Sequence, residues 1–136
     1  MLSNKDRSYL SVARYFATKS ASRNTHGAVV VKGGRVLGTG FNKDRNHPAI
    51  VSPEHIKEYC SFHAEEVAIR EAGEDNVRNA VIYVARVNRQ GKDRDSKPCT
   101  RCSALIKRVG IKKVVFTAEA GEYYVNQWSR PDGKDC

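Results

Sequence analysis

Two short segments, His63-Ala64-Glu65 and Pro98-Cys99-Thr100-Arg101-Cys102, constrain the fold of this chain more than any other feature. One imidazole and two thiolates form a donor set suited to Zn²⁺, but they hold one ion only if the fold brings both segments to one point. Three protein ligands leave the fourth tetrahedral position open, as in catalytic rather than structural zinc sites. Cys99 and Cys102 are three residues apart and share one face of a helical turn. His63 and Glu65, two apart, diverge in mid-helix, whereas around an opening turn both reach a site at the helix tip. His63 is therefore expected to open one helix, and Pro98 suits the start of another, where a missing N–H costs little. Two converging helix N-termini favour thiolate and hydroxide through unpaired N–H groups and partial positive charge.

The chemistry of such a site follows from its donors. Zinc lowers the pKa of a bound water to about 7, so hydroxide is available at neutral pH. Glu65, near that water but off the metal, is the candidate acid/base group. A closed alternative also exists: Cys60-Ser61-Phe62-His63 is itself a C-x-x-H pair. With Cys99 and Cys102 it would complete a structural Cys₃His site with no use for Glu65. That alternative does not account for the glutamate two residues after the histidine, and Cys60 is read as a free thiol in a loop.

With 136 residues, the chain is expected to form one domain with a single core. No apolar run approaches the roughly 20 residues of a membrane span, and the first residues lack the apolar core of a signal peptide, so a cytoplasmic location is expected. In that setting the four cysteines, Cys60, Cys99, Cys102 and Cys136, point to metal binding or free thiols rather than disulfides. A net charge of +9 favours anionic partners, either nucleotides or nucleic acid.

Periodicity gives the elements. Residues 3–20 read as an amphipathic helix with a capping box of Ser3 and Asp6. Residues 26–31 and 36–41 read as strands of a hairpin turning at Gly33-Gly34. A polar loop over 42–61, broken by Pro48 and Pro53, is expected to hold a short helix near 54–59. Then follow a helix over 62–72 ended by Gly73, a strand over 80–87, a charged loop over 88–97, a helix over 99–109 ended by Gly110, and a strand over 113–117. This alternation predicts βαβ crossovers and a mixed sheet. Residues 119–136 fit either an edge strand or a helix.

Further candidates surround the two segments. Asn42, at the end of the hairpin, is able to hydrogen-bond a base or sugar, or simply to form a turn. His47 and His55 are candidate ligands of a second metal or solvated loop histidines. Lys43, Arg45, Arg101 and the run Lys92-Asp93-Arg94-Asp95 can meet phosphate or stay solvated. Tyr123, Tyr124 and Trp128 can stack on bases or pack on the sheet.

At these residues the chain resembles the cytidine and deoxycytidylate deaminase superfamily. The resemblance rests on Gly27-Ala28-Val29-Val30, Gly40-Phe41-Asn42, the two metal segments, and Gly110-Ile111-Lys112-Lys113-Val114-Val115. It implies an α/β/α sandwich around a mixed sheet of about five strands, one catalytic Zn²⁺ held by His63, Cys99 and Cys102, and a homo-oligomer. It also implies Glu65 as the proton shuttle of a deamination, with Asn42, Ala64 and Pro98 lining the substrate; Ala64 is small where the base fits closely. Cys102-Ser103-Ala104-Leu105-Ile106 looks like the deoxycytidylate and tRNA-adenosine branch, since free-cytidine deaminases typically carry Arg-Gln after the second cysteine. Lys43 stands where deoxycytidylate deaminases usually continue with Gly. The stretch from Asn42 to His63 is longer than in typical tRNA editors, which leans toward the nucleotide group.

The expected activity is zinc-dependent hydrolytic deamination of a cytosine nucleotide, dCMP. Two alternatives are deamination of a base within tRNA or single-stranded DNA, and a non-catalytic zinc-stabilised module that binds nucleic acid.

Overall fold

A computed structural model describes residues 2–20, 25–42, 63–119 and 123–127. Their order is α1 (Asn4–Ala17), β1 (Thr25–Lys32), β2 (Arg35–Phe41), α2 (Ala64–Ala72), a single 3₁₀ turn at Glu74–Asn76, β3 (Val81–Val87), β4 (Asp93–Arg94), α3 (Thr100–Arg108), β5 (Lys113–Thr117) and β6 (Tyr123–Gln127). The sheet runs β2-β1-β3-β5-β6, with the two-residue β4 added beside β3. Among the described residues only β3 and β5 are parallel, joined through α3; the other pairs are antiparallel. This is the expected mixed sheet with helices on both faces.

Local chemistry sets the boundaries. Ser3 caps α1: its Oγ accepts from the Asp6 N–H at 3.0 Å, while the Asp6 carboxylate accepts from the Ser3 N–H at 3.4 Å. Gly33 and Gly34, with φ of 59° and 76°, make the two-residue hairpin turn that positive φ at both centres requires. The charged loop over 88–97 is not wholly irregular, because Asp93 and Arg94 pair with β3 as β4. Asp93 also receives both a 2.7 Å and a 2.9 Å bond from the Arg14 guanidinium, fastening β4 to α1. Within the tail, Tyr123–Gln127 form strand β6: only five residues separate it from β5, too few for a parallel crossover of about a dozen, so it returns antiparallel. The helix expected near 54–59 lies outside the described residues.

Alternation along the strands divides the core. Ala28, Val30, Ile82, Val84, Val114 and Phe116 meet α2 and α3 on one face. Val29, Val31, Tyr83, Ala85 and Val115 meet Leu10 and Ala13 of α1 on the other. Two helices therefore share one layer and α1 forms the opposite one. Glycines permit the close approach: a Cβ on Gly40 would stand 2.7 Å from both the Ala64 carbonyl and the Ala68 nitrogen of α2. Gly38 meets the next turn of α2, and Gly27 meets the backbone of α1, more tightly still. Beneath α1, the Asp6 carboxylate accepts from the Tyr83 hydroxyl at 2.8 Å and from the Lys113 ammonium at 3.1 Å, linking α1 to β3 and β5. Among the described residues, no helix is long and apolar enough to cross a membrane.

Candidate metal centre

His63 and Cys99 are both N-caps. His63 (φ −83°, ψ 146°) precedes α2 in extended conformation and its imidazole does not cap the helix. Cys99 (φ −69°, ψ 171°) precedes α3, and its Sγ accepts from the Cys102 N–H at 3.4 Å. Pro98 stands immediately before this cap, as the expected helix over 99–109 implied, and its buried ring leads the chain into it. Its carbonyl accepts from the Ser103 hydroxyl at 3.4 Å.

The two caps meet. His63 Nδ1 lies 3.3 Å from Cys102 Sγ and 3.9 Å from Cys99 Sγ, and the three donor atoms fall within 4.8 Å of one another. A tetrahedral ion with Zn–S of about 2.3 Å and Zn–N of about 2.05 Å needs an N···S edge of about 3.6 Å, which these distances bracket. Cys102 is buried, His63 half-buried and Cys99 exposed, so the cluster is walled on one side and open on the other. The Cys102 thiol pKa is pushed well above its ordinary value, first by its hydrogen bond with the Cys99 thiol, then by burial, then by the negative charge of Glu65, Cys99 and Glu66. Two crowded sulfurs beside buried carboxylates hold negative charge poorly unless a cation joins them, and a divalent ion answers that need. The donor set thus fits zinc.

Glu65 is 4% exposed and close enough to act electrostatically on Cys102. Its carboxylate is not one of the clustered donors among the described residues. Glu66 is fully buried beside it, which the sequence did not signal beyond a second acid at the helix start. Ala64 is fully buried at the first position of α2. Asn42 follows β2 and its Oδ1 accepts from the His26 N–H at 2.9 Å, extending the β1–β2 pairing by a side chain. Arg101 is half-buried between the two cysteines. Of the charged run, Asp93 is taken by Arg14, and Arg94 lies 3.1 Å from Glu119, so intramolecular pairs account for both. Lys43, Arg45, His47, His55, Cys60 and Trp128 lie outside the described residues, as do the side chains of Tyr123 and Tyr124; the closed Cys₃His alternative falls there too.

The cluster sits at the end of the sheet where β3 and β5 finish, the end at which α/β sheets receive ligands. A cavity of about 620 Å³ lies at the other end, walled by Lys5, Lys32, Asn79, Tyr83 and Lys112, and shares no residue with the cluster.

Comparison with known proteins bears on this geometry. A family model described as the cytidine and deoxycytidylate deaminase zinc-binding region matches residues 3–118. Deoxycytidylate deaminase of Schizosaccharomyces pombe is 30% identical over 126 residues, covering 82% of this chain and 36% of that protein. The chain thus spans about a third of this yeast relative. Deoxycytidylate deaminase of Mycobacterium phage D29 is 32% identical over 132 residues, covering 85% of this chain and 95% of that one. Among solved structures, the dCMP deaminase from the cyanophage S-TIM5 superposes with a TM-score of 0.63 at 23% identity, covering 88% of this chain and 87% of that chain, and supports the fold.

Proposed function

Because the chain belongs to the cytidine and deoxycytidylate deaminase family, we propose that it is a zinc-dependent hydrolytic deaminase converting a cytosine nucleotide, dCMP, to its uracil counterpart with release of ammonia. The observation that carries this reading is the meeting of His63, Cys99 and Cys102 at two helix tips, with Glu65 buried alongside. The phage relative of nearly equal length, named a deoxycytidylate deaminase, supports the choice of nucleotide.

In this reading His63, Cys99 and Cys102 hold the metal. Zinc, when bound there, would acidify a water and so make a nucleophile available at neutral pH. Glu65 does the proton work: it takes a proton from the attacking water and delivers it to the ring nitrogen, then takes the remaining proton from the new C4 hydroxyl and passes it to the departing amine. The C4–O bond forms, the C4–N bond breaks, and the sum is substrate plus water giving uracil nucleotide plus ammonia. Glu65 ends each cycle ionised. Its burial shields this transfer from bulk water and strengthens the electrostatics within the site. Ala64 and Pro98 border the base, and Asn42, its amide fixed by the His26 N–H, meets the substrate as the hairpin ends.

Zinc-loaded protein incubated separately with dCMP, CMP, deoxycytidine, and short RNA and DNA oligomers tests the reading by ammonia release. Turnover greatest on dCMP is expected. Reaction with oligomers alone overturns the nucleotide assignment; the net charge of +9 suits an anionic substrate of either kind and does not choose between them. Assembly into a homo-oligomer and a cytoplasmic location belong to the same proposal; light scattering on the purified protein and cell fractionation test them.

A further inference from the structure

We propose that Ser96 and Thr117 are positioning residues of the metal centre, fixing where Cys99 stands and thereby how tightly zinc is held. The inference rests on the zinc reading of the cluster. Ser96 and Thr117 are 1% and 0% exposed, in a core otherwise built mainly of apolar side chains. Each is bonded on every side. The Ser96 hydroxyl donates to the Val84 carbonyl of β3 at 2.9 Å and accepts from the Thr117 N–H of β5 at 2.8 Å. It therefore takes a rung between the parallel strands at the end that faces the metal donors. The Ser96 N–H donates to the Thr117 carbonyl at 2.9 Å. The Thr117 hydroxyl donates to the Arg94 carbonyl of β4 at 2.7 Å and accepts from the Arg86 N–H of β3 at 3.1 Å. The two hydroxyls are 2.9 Å apart.

Together they fasten the strand end, β4 and the segment beyond it at one buried point. From that point only Lys97 and Pro98 intervene before Cys99. Pro98 has a fixed φ, and the Lys97 N–H is tied to the Asp95 carboxylate at 3.1 Å, so this tether has little freedom of its own. A shift at Ser96 passes directly to Cys99. His63 arrives independently, on α2, so the ligand set closes only if the Cys99 side is placed correctly. Partners that orient metal ligands without touching the metal commonly govern its affinity by about 10–100-fold.

The test compares zinc affinity, by competition with a chromogenic chelator, and melting temperature in four variants. Ser96→Ala and Thr117→Val are expected to weaken zinc about 10-fold or more. Thr117→Ser, which keeps the hydroxyl, is expected to hold zinc within about threefold of the parent, against that same scale. Val115→Ala, on the same strand but under α1, lowers the melting temperature and leaves zinc affinity unchanged. Should Ser96→Ala fail to fold, Thr117→Val decides alone, since valine keeps the shape of threonine. Parental zinc affinity in Ser96→Ala and Thr117→Val, or equal loosening in Val115→Ala, overturns the proposal. A parent chain that binds no zinc overturns the metal-centre reading itself, and inactive but zinc-binding protein overturns only the proposed reaction.

Discussion

His63 shows how one residue's backbone decides what its neighbours can do. Within a helix, residues two apart point about 200° away from each other, so His63 and Glu65 would face opposite sides. His63 instead has φ −83° and ψ 146°, an extended cap outside α2. Glu65 is then the second helical residue, buried near Cys102 without joining the donor cluster. In the proposed function this arrangement separates the roles of ligand and proton carrier. Glu65→Gln keeps the shape of the side chain and loses its basicity, so it is expected to retain one zinc per chain while turnover falls by about 10²–10⁴-fold. Metal analysis alongside an ammonia assay checks both, and unchanged turnover removes Glu65 from the reaction. The clustering of His63, Cys99 and Cys102 was legible in the sequence because cysteine and histidine at this spacing have few other uses. The burial of Glu66, Ser96 and Thr117 was not, because a lone acid or hydroxyl carries no mark of whether it faces solvent. The bond of Asn42 to His26 was hidden likewise, since it joins strands whose register only the fold sets.

At the scale of elements, the chain's periodicity placed the hairpin, α2, β3, α3 and β5 within two residues of their observed ends, and α1 within three. Capping and glycine signals did most of this, as at Ser3, Gly73 and Gly110. What escaped was set by partners rather than by local pattern: β4 pairs with the last residues of β3, past the end of its pairing with β5, and β6 exists because β5 offers it an edge. The glycines of β1 and β2 looked like part of a resemblance, yet their physical work is to admit helix backbones. Gly27 and Gly40 do so on opposite faces, which makes a contrasting pair of variants informative. Gly27→Ala pushes on α1 and is expected to cost about 1–3 kcal/mol without changing zinc affinity. Gly40→Ala pushes on the first turn of α2, which carries His63, and is expected to cost a similar amount and also to weaken zinc binding. Denaturant titration and zinc competition together separate the two, and equal zinc affinity in both variants rejects the link from β2 to His63.

Across the whole molecule, the two ends of the sheet carry different loads. At one end the sulfur–imidazole cluster ties α2 to α3. Zinc binding there stabilises the folded state by mass action, so chelation is expected to lower the melting temperature and added zinc to raise it. At the other end, Asp6 ties α1 to β3 and β5. Burial by itself would raise the pKa of Asp6. The Tyr83 hydroxyl, the Lys113 ammonium with its charge, and the Ser3 N–H outweigh burial and hold it below the ordinary 3.8. Tyr83, pushed up by burial and by Asp6, stays a protonated donor. A carboxyl with a depressed pKa contributes stability that is present above its unfolded value and lost as pH falls through its folded one. Asp6→Asn is therefore expected to cost about 1–3 kcal/mol at pH 7. That deficit should shrink as pH falls below 3.8. Acid also protonates the zinc ligands and releases the metal, which lowers the stability of both proteins. The metal lies at the far end of the sheet and its loss is common to parent and variant, so it cancels in their difference. Urea unfolding of both, zinc-loaded at pH 7 and stepped through the acid range, reads that difference directly. A gap that stays constant down to pH values well below 3.8 shows that Asp6 holds α1 by its shape and hydrogen bonding alone, not by its charge.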